Sequence, residues 1–165
     1  MNRAIASLRS QMAEIRQISE RRRAELQTVN EQVSLWSTAQ QLDHILKVAI
    51  SILERILLRP EPLPGGINLT GRLALFAGRI PRGRGKSPER LRGVQVSSEE
   101  LATPLAKLAE LVDSVDREYT FRPRAAILKH PFFGTLTDEQ SLQFAVLHTR
   151  HHLKIIHDIL RDSGR

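Results

Sequence analysis

Apolar residues recur every three or four positions along four stretches of the chain, which is the spacing of one face of an α-helix. The clearest stretch spans residues 137–162. Thr137 is a good N-cap there, and Gln140 three residues later completes a capping-box pattern. His148 and His152 lie four residues apart within this stretch, so a helix places their side chains on the same face.

The face that carries both histidines is apolar. Four apolar residues fall within about 60° of His148 at about 100° per residue: Phe144, Ala145, Ile155 and Ile159. A buried ring nitrogen without a partner costs about 1–3 kcal/mol. We therefore expect a partner for both imidazoles, and a divalent metal ion is the economical candidate.

Three further helices are predicted upstream, over residues 5–33, 37–58 and 97–118. The first is interrupted near Arg22. The second opens with Ser37 and Gln40, another capping box, and ends at a segment rich in proline and glycine. The third begins at Ser97 or Ser98, with acidic residues in its first turn that favour the helix dipole.

Two long connections link these helices, and neither contains a credible pair of strands. The crossover between the second and third helices holds a short helix or packed turn at 69–76 and an irregular basic loop at 80–88. The connector at 119–136 leads into the last helix. The sequence therefore predicts one all-α domain over residues 1–165, a four-helix bundle with a long irregular crossover between its second and third helices.

The composition is ordinary for a globular domain, with 41% hydrophobic and 26% charged residues. The chain has no cysteine, which excludes disulfides, thiolate metal ligands and a cysteine nucleophile. A bound metal must therefore take histidine, carboxylate or water as its ligands. No run approaches the ~20 apolar residues of a membrane span and no secretory core is found, so we expect a cytoplasmic protein without a membrane partner.

The formal net charge of +7 comes largely from residues 21–23 and from the 79–92 segment. This charge is either an inert basic surface or a site for an acidic ligand. Nucleic acid is a weaker candidate partner, because the chain has no recognition-helix signature and no aromatic stacking platform.

His44 is the candidate third metal ligand, early in the second helix. It lies on a stripe that either lines a cavity or is simply exposed, together with Gln40, Gln41, Val48, Ser51 and Arg55. Three neutral imidazoles leave at least one coordination position open for water or substrate. His151 is the rival ligand, about 60° from the His148–His152 line, whereas His157 points to the opposite side.

Two groups of motifs resemble the DinB/YfiT-like superfamily over nearly the whole chain. The first is Trp36-Ser37-x-x-Gln40-x-Leu42-x-His44, followed much later by His148-x-x-x-His152. The second, His130-Pro-Phe-Phe-Gly and then His148-x-x-His-His, is similar to one branch of that superfamily. Many members carry proline where this chain has Thr38, a difference at a helix start.

The resemblance implies a four-helix bundle that often dimerises. It also implies a divalent metal, commonly nickel or zinc, on three motif histidines that map onto His44, His148 and His152. Some members of the superfamily are metal-dependent S-transferases that use small thiols such as bacillithiol or mycothiol.

Two functions follow as hypotheses. In the first, a metal on these three histidines activates a small-molecule thiol or water, for S-transfer or hydrolysis, and His151 or His130 carries protons. Four basic residues are candidates to bind an anionic substrate: Arg55, Arg82, Arg84 and Lys86. Packing roles for His151 and His130, and a merely solvated basic loop, stay open. In the second hypothesis the chain is a non-catalytic dimeric helical module whose histidines, and any metal, are structural.

Overall fold

The computed structural model describes residues 3–82, 87–122 and 124–162. These residues form a mostly helical fold with a small two-stranded sheet. Its helices are α1 (Arg3–Arg21), α2 (Thr38–Leu57), α3 (Leu69–Ala77), α4 (Ser98–Glu118) and α5 (Asp138–Asp162). Its strands are β1 (Ala126–His130) and β2 (Gly134–Thr137).

The starts of the long helices follow their local sequence. Ser37 caps α2 and Gln40 returns the bond to the Ser37 backbone, which completes the predicted capping box. Ser97 and Glu100 form the equivalent box at α4. Before α5, Thr137 Oγ1 accepts from the Gln140 backbone, and the Gln140 side chain accepts from the Thr137 backbone. The prediction of all three starts is confirmed.

Helix α2 is the central element of the core. It packs against α4 and α5, and α1 packs against the same two helices. Five of its large apolar side chains are fully buried: Leu42, Ile45, Leu46, Leu53 and Ile56. Each such residue contributes about 1.5–3 kcal/mol through burial. The core therefore fixes the position of α2 against α5, the two helices that carry the candidate ligands.

The first helix stops at Arg21, which confirms the interruption predicted near Arg22, and a short 3-10 turn at Arg23–Glu25 follows. The chain then folds back over the start of α2. There the carbonyls of Leu26 and Thr28 accept from the backbone amides of Ala39 and Thr38 at 2.8 and 3.1 Å. Because these amides lack partners within their own helix, the turn is favoured over further α-helix. The prediction of helix up to residue 33 is wrong.

A β-hairpin occupies the connector that was predicted to contain no strands. Strands β1 and β2 pair antiparallel, with Leu128 opposite Leu136 and His130 opposite Gly134. Gly134 has a φ of +80°, and a Cβ there would lie 2.5 Å from the Gly66 carbonyl oxygen. The hairpin packs on α5 and α2. The all-α prediction therefore requires correction, since strand pairing of a four- or five-residue segment depends on what covers it.

The crossover from α2 to α4 is more ordered than predicted. It contains α3, which confirms the short helix expected at 69–76, although part of the basic loop, residues 83–86, lies outside the described residues. Farther on, the chain follows the start of α2: the Val94 amide donates to Asp43 Oδ2 at 2.9 Å, and Ser37 Oγ donates to Gln95 Oε1 at 2.8 Å. The crossover thus reaches the helix that carries His44.

Among the helices described, none combines the length and apolar character that crossing a lipid bilayer requires.

Candidate metal centre

Three imidazoles converge where α2 packs against α5. His44 comes from α2, and His148 and His152 come from successive turns of α5. One ring nitrogen of each lies within 4.8 Å of the other two. The ring centroids are 4.9 Å apart for His44–His148, 4.6 Å for His44–His152 and 4.4 Å for His148–His152. The structure therefore brings together the three residues that the sequence selected as ligands.

A backbone carbonyl fixes the orientation of the His44 ring. Its Nδ1 lies 2.5 Å from the carbonyl oxygen of Leu91, in the crossover. Because a carbonyl only accepts, Nδ1 must carry the proton, and the lone pair of the ring is then on Nε2, which accepts from His148 Nε2 at 3.1 Å. Metal-binding histidines are oriented in this way by a partner at the second nitrogen.

The side chain of Gln41 fixes the orientation of the His152 ring. The Oε1 atom of Gln41 lies 2.6 Å from His152 Nδ1, while Nε2 of Gln41 donates to Ser34 Oγ at 2.9 Å. The amide is thus bonded at both ends in one orientation. The proton of His152 belongs on Nδ1, and its Nε2 lone pair is free.

His148 completes the group without an orienting partner. Its Nε2 lies 3.1 Å from Nε2 of His44, and its buried Nδ1 has no hydrogen-bond partner among the described residues. Two nitrogens on one zinc or similar ion, each about 2.0–2.1 Å from it, are about 3.0–3.4 Å apart. The His44–His148 pair meets this separation, whereas the widest nitrogen pair would have to draw closer. A donor set of neutral imidazoles suits zinc, copper, iron or nickel.

Burial keeps these rings neutral. It lowers the pKa of His44 below its ordinary value. It lowers the pKa of His148 and of His152 well below that value, and at these two rings the neighbouring imidazoles lower the pKa further. Neutral imidazole is the form that binds a metal ion. At pH 7 no proton therefore has to leave these rings before a metal binds.

His151 lies beside the cluster but outside it. Its ring centroid is 5.1 Å from that of His152, in an edge-on arrangement. Burial, followed by the nearby charge of Arg82, lowers the pKa of His151. It is thus a neutral imidazole close to the centre, and Arg82 is the cation near it.

His130 belongs to the hairpin. Its Nδ1 accepts from the backbone amides of Phe132 and Phe133 at 3.2 Å each, and its ring stacks on Phe133. Phe144 contacts both the His130 ring and the His148 ring, with centroids 4.7 and 5.5 Å away. Burial lowers the pKa of His130 to about 4. His130 therefore supports the hairpin turn and does not join the three-histidine cluster.

His157 also lies apart from the cluster, as its position on the helix predicts. It is exposed, and its Nε2 lies 2.5 Å from Oε1 of Glu14 on α1.

The two candidate substrate-binding cations that the structure describes, Arg55 and Arg82, are bonded to other groups of the protein. Arg55 Nε donates to the Ile127 carbonyl at 2.9 Å and so ties α2 to the hairpin. Arg82 is paired with Asp158 at 2.5 Å. Arg84 and Lys86 lie outside the described residues.

Two groups that orient the ligands were absent from the sequence-based site. Gln41 precedes His44 by one helical turn and lies on the same polar stripe, which was the available signal. No sequence signal points to the Leu91 carbonyl, because every residue type has the same backbone carbonyl.

Comparison with known proteins gives a family but no individual relative. No curated protein matches the chain significantly, and neither does any solved structure. The family model described as the DinB superfamily matches residues 9–156, which include all three histidines of the cluster. The chain belongs to the DinB superfamily.

Proposed function

We propose that His44, His148 and His152 bind one divalent metal ion, nickel or zinc, and that the protein is a metal-dependent enzyme acting through a small-molecule thiol or water. The reaction class is S-transfer or hydrolysis. We further infer that the four long helices form a bundle of the type found in this superfamily and that the protein is a cytoplasmic dimer.

The observation that carries the proposal is the orientation of the rings. The Nδ1 atoms of His44 and His152 donate to Leu91 and Gln41, so the lone pair of each ring lies on Nε2, on the side of the cluster. The two partners lie outside α5: the Leu91 carbonyl belongs to the crossover, and Gln41 belongs to α2. Packing alone does not require such an arrangement, whereas a metal centre does.

The chemistry follows from what each group can do. A divalent ion held by His44, His148 and His152 would supply Lewis acidity, which would lower the pKa of a thiol or water bound to it. His151, neutral and beside His152, can accept the proton that is released. Trp36, whose ring centroid is 5.2 Å from that of His44, shields one side of the site from water. Arg82 lies near His151 and can bind an anionic substrate once its pair with Asp158 opens.

Metal content tests the ligand assignment directly. Elemental analysis of the purified protein should give close to one metal ion per chain, and His44→Ala, His148→Ala and His152→Ala should each abolish it. His157→Ala is the matched control, because it removes an exposed histidine of α5. Retention of metal in the His148 and His152 variants would exclude the site.

Activity is tested separately. Metal-loaded protein is assayed for thiol transfer with glutathione, bacillithiol and mycothiol, and for hydrolysis of model esters and amides. Turnover that disappears in His148→Ala and falls in His151→Ala supports the enzyme. Full metal occupancy without any turnover contradicts it.

A second function is favoured by the contacts that the three histidines already make with one another. Nε2 of His148 lies 3.1 Å from Nε2 of His44, and the three ring centroids are 4.4–4.9 Å apart. In this alternative the chain is a non-catalytic helical module with structural histidines. Cobalt-substituted protein distinguishes the two functions: added thiol changes its visible spectrum only if a coordination position is open.

A further inference from the structure

Helix α3 presents an apolar ridge to solvent. Leu69, Leu73 and Phe76 are spaced by four and three residues, so they lie along one side of the helix. Their exposures are 72%, 58% and 91%. Single exposed apolar side chains are common, but neighbouring ones that form a patch mark an interaction site. We call these three residues the α3 ridge. Phe132, in the adjacent hairpin turn, is also exposed and extends the apolar surface.

The opposite side of α3 is fixed to the protein. Gly71 and Ala74 are buried, and a Cβ on Gly71 would come within 2.8 Å of the Phe133 side chain. Asn68 caps the helix and also donates to the Phe132 carbonyl at 3.0 Å. Because this close approach and these bonds fix the orientation of α3, the ridge does not turn inward.

Basic residues accompany the ridge in the sequence, whereas acidic residues are missing there. Residues 62–88 contain five basic residues and no Asp or Glu. Two of the five, Arg84 and Lys86, lie outside the described residues. Arg72 and Arg79 are exposed and make no ion pair with the described residues. Arg150, from α5, lies near the end of α3, with Nη1 3.8 Å from the position that a Gly78 Cβ would occupy.

A projecting ridge of leucine and phenylalanine with arginines beside it matches an anionic lipid surface. The apolar side chains enter the boundary between headgroups and acyl chains, and the guanidinium groups pair with phosphates. A protein partner would need a groove to accept the ridge and acidic groups around that groove. A lipid surface accepts projecting apolar side chains without a groove, and its phosphates supply the negative charge.

We propose that the α3 ridge, with Arg72, Arg79 and Arg150, docks the protein peripherally on membranes that contain anionic lipid. Peripheral docking does not require a membrane-spanning helix, and the length of the apolar runs argues only against such a helix. It does not depend on the metal centre, so it stands or falls independently of the proposed enzymatic function.

Vesicle co-sedimentation tests the docking. The intact protein is mixed with phosphatidylcholine vesicles, with or without phosphatidylglycerol, and we expect binding only when phosphatidylglycerol is present. The double variant Leu73→Ser with Phe76→Ser keeps the net charge and should abolish binding. Leu35→Ser removes an equally exposed leucine, 79% accessible, away from α3 and should have no effect.

Charge-reversal variants test whether the arginines beside the ridge, and not the total charge of the protein, contribute to vesicle binding. Arg72→Glu with Arg79→Glu lowers the formal net charge by four from +7, and so does Arg16→Glu with Arg21→Glu on α1. We expect the first pair to weaken binding about tenfold or more, and the second pair to weaken it much less. Equal losses in both pairs would mean attraction by total charge and would overturn the proposal.

Insertion is measured with a reporter residue. Trp36 is the only tryptophan of the chain, so Phe76→Trp adds one reporter on the ridge. Brominated lipid should quench this added emission and leave the wild-type signal unchanged. Absence of quenching overturns the proposal. So does a protein that ignores vesicles but forms a dimer that Phe76→Ser dissociates, since a second copy would then cover the ridge.

Discussion

Gln41 and His152 are 111 residues apart in sequence, yet Gln41 Oε1 lies 2.6 Å from His152 Nδ1. Ser34 holds the other end of the Gln41 amide. This bond fixes which nitrogen of His152 carries the proton and directs the lone pair of Nε2 to the cluster. An aliphatic residue at position 41 would leave the ring without a partner and free to rotate.

We therefore expect Gln41→Ala to lower metal affinity about 10- to 100-fold while the helical content stays unchanged. Gln41→Glu should restore most of the affinity, because a carboxylate also accepts from Nδ1. Gln143→Ala, which removes an exposed glutamine of α5, is the control. Competition with a chromogenic chelator measures all four proteins. Equal affinity of Gln41→Ala and wild type would show that Gln41 does not orient the ligand.

Metal binding should stabilise the fold, because the three ligands join α2 to α5. Ligand at about 100 times its dissociation constant adds about 2.7 kcal/mol. For a chain of this size we expect a rise in Tm of about 5–10 °C. A thermal scan with nickel or zinc, then with excess chelator, measures the shift. His148→Ala should show none, and an equal rise in that variant would place the metal elsewhere.

Asp138 anchors the start of α5. Its carboxylate is fully buried and accepts from the Tyr119 hydroxyl and from the backbone and Nε of Arg122. Asp138→Ala should cost about 3 kcal/mol or more, because the arginine and the hydroxyl lose their partner. Asp113→Ala removes a half-exposed partner of Arg9 and should cost under about 1 kcal/mol. Urea unfolding compares the two, and similar costs would contradict the anchoring role.

The stability of the metal-free protein should fall in acid. Burial lowers the pKa of His130 to about 4, against about 6.5 in the unfolded chain. The unfolded state therefore binds the extra proton first, so stability is complete above about pH 6.5 and is lost as the pH falls towards 4. Burial of His44, His148 and His152 acts in the same direction.

The contribution of His130 can be isolated by substitution. His130→Asn keeps an acceptor for the two turn amides but removes the titrating ring. Its unfolding midpoint in urea should change less between pH 6.5 and pH 4 than the wild-type midpoint. His157→Asn removes an exposed histidine and serves as the control. If the urea midpoint of His130→Asn changed as much between pH 6.5 and pH 4 as the wild-type midpoint, His130 would be excluded as a source of the pH dependence.

Gly93 allows the crossover to touch α2. A Cβ at this position would lie 2.0 Å from the carbonyl oxygen of Gln40, so Gly93→Ala must push the two segments apart. We expect a loss of about 1–3 kcal/mol and weaker metal binding, because the Leu91 carbonyl that orients His44 moves as well. Gly66→Ala meets no atom within 4 Å and is the matched control. Wild-type stability and affinity in Gly93→Ala would contradict this contact.

Much of the helical framework was readable from sequence because its signals are local. The capping boxes at Ser37, Ser97 and Thr137 act over three residues, and the structure contains all of them. The shared face of His148 and His152 is equally local, since it follows from a spacing of four on one helix. His44 was selected from its polar stripe and from the family motif. In the structure one of its ring nitrogens lies within 4.8 Å of a ring nitrogen of His148 and of His152.

Other features depended on contacts between separate elements. The early end of α1 follows from the turn that caps α2, and the hairpin at 126–137 follows from packing on α5 and α2. Periodicity describes one segment at a time and carries no information on such contacts, so it extended the first helix and left out the strands.

The same division holds at the metal centre. Residue type, spacing and the family motif were sufficient to select the three candidate ligands. How the three rings are held depends on the fold: Leu91 and Gln41 orient His44 and His152, while His148 Nδ1 is buried without a partner among the residues described. A residue's identity sets which atoms it offers as donors or acceptors. Only the packing of α2, α5 and the crossover sets which of those atoms meet.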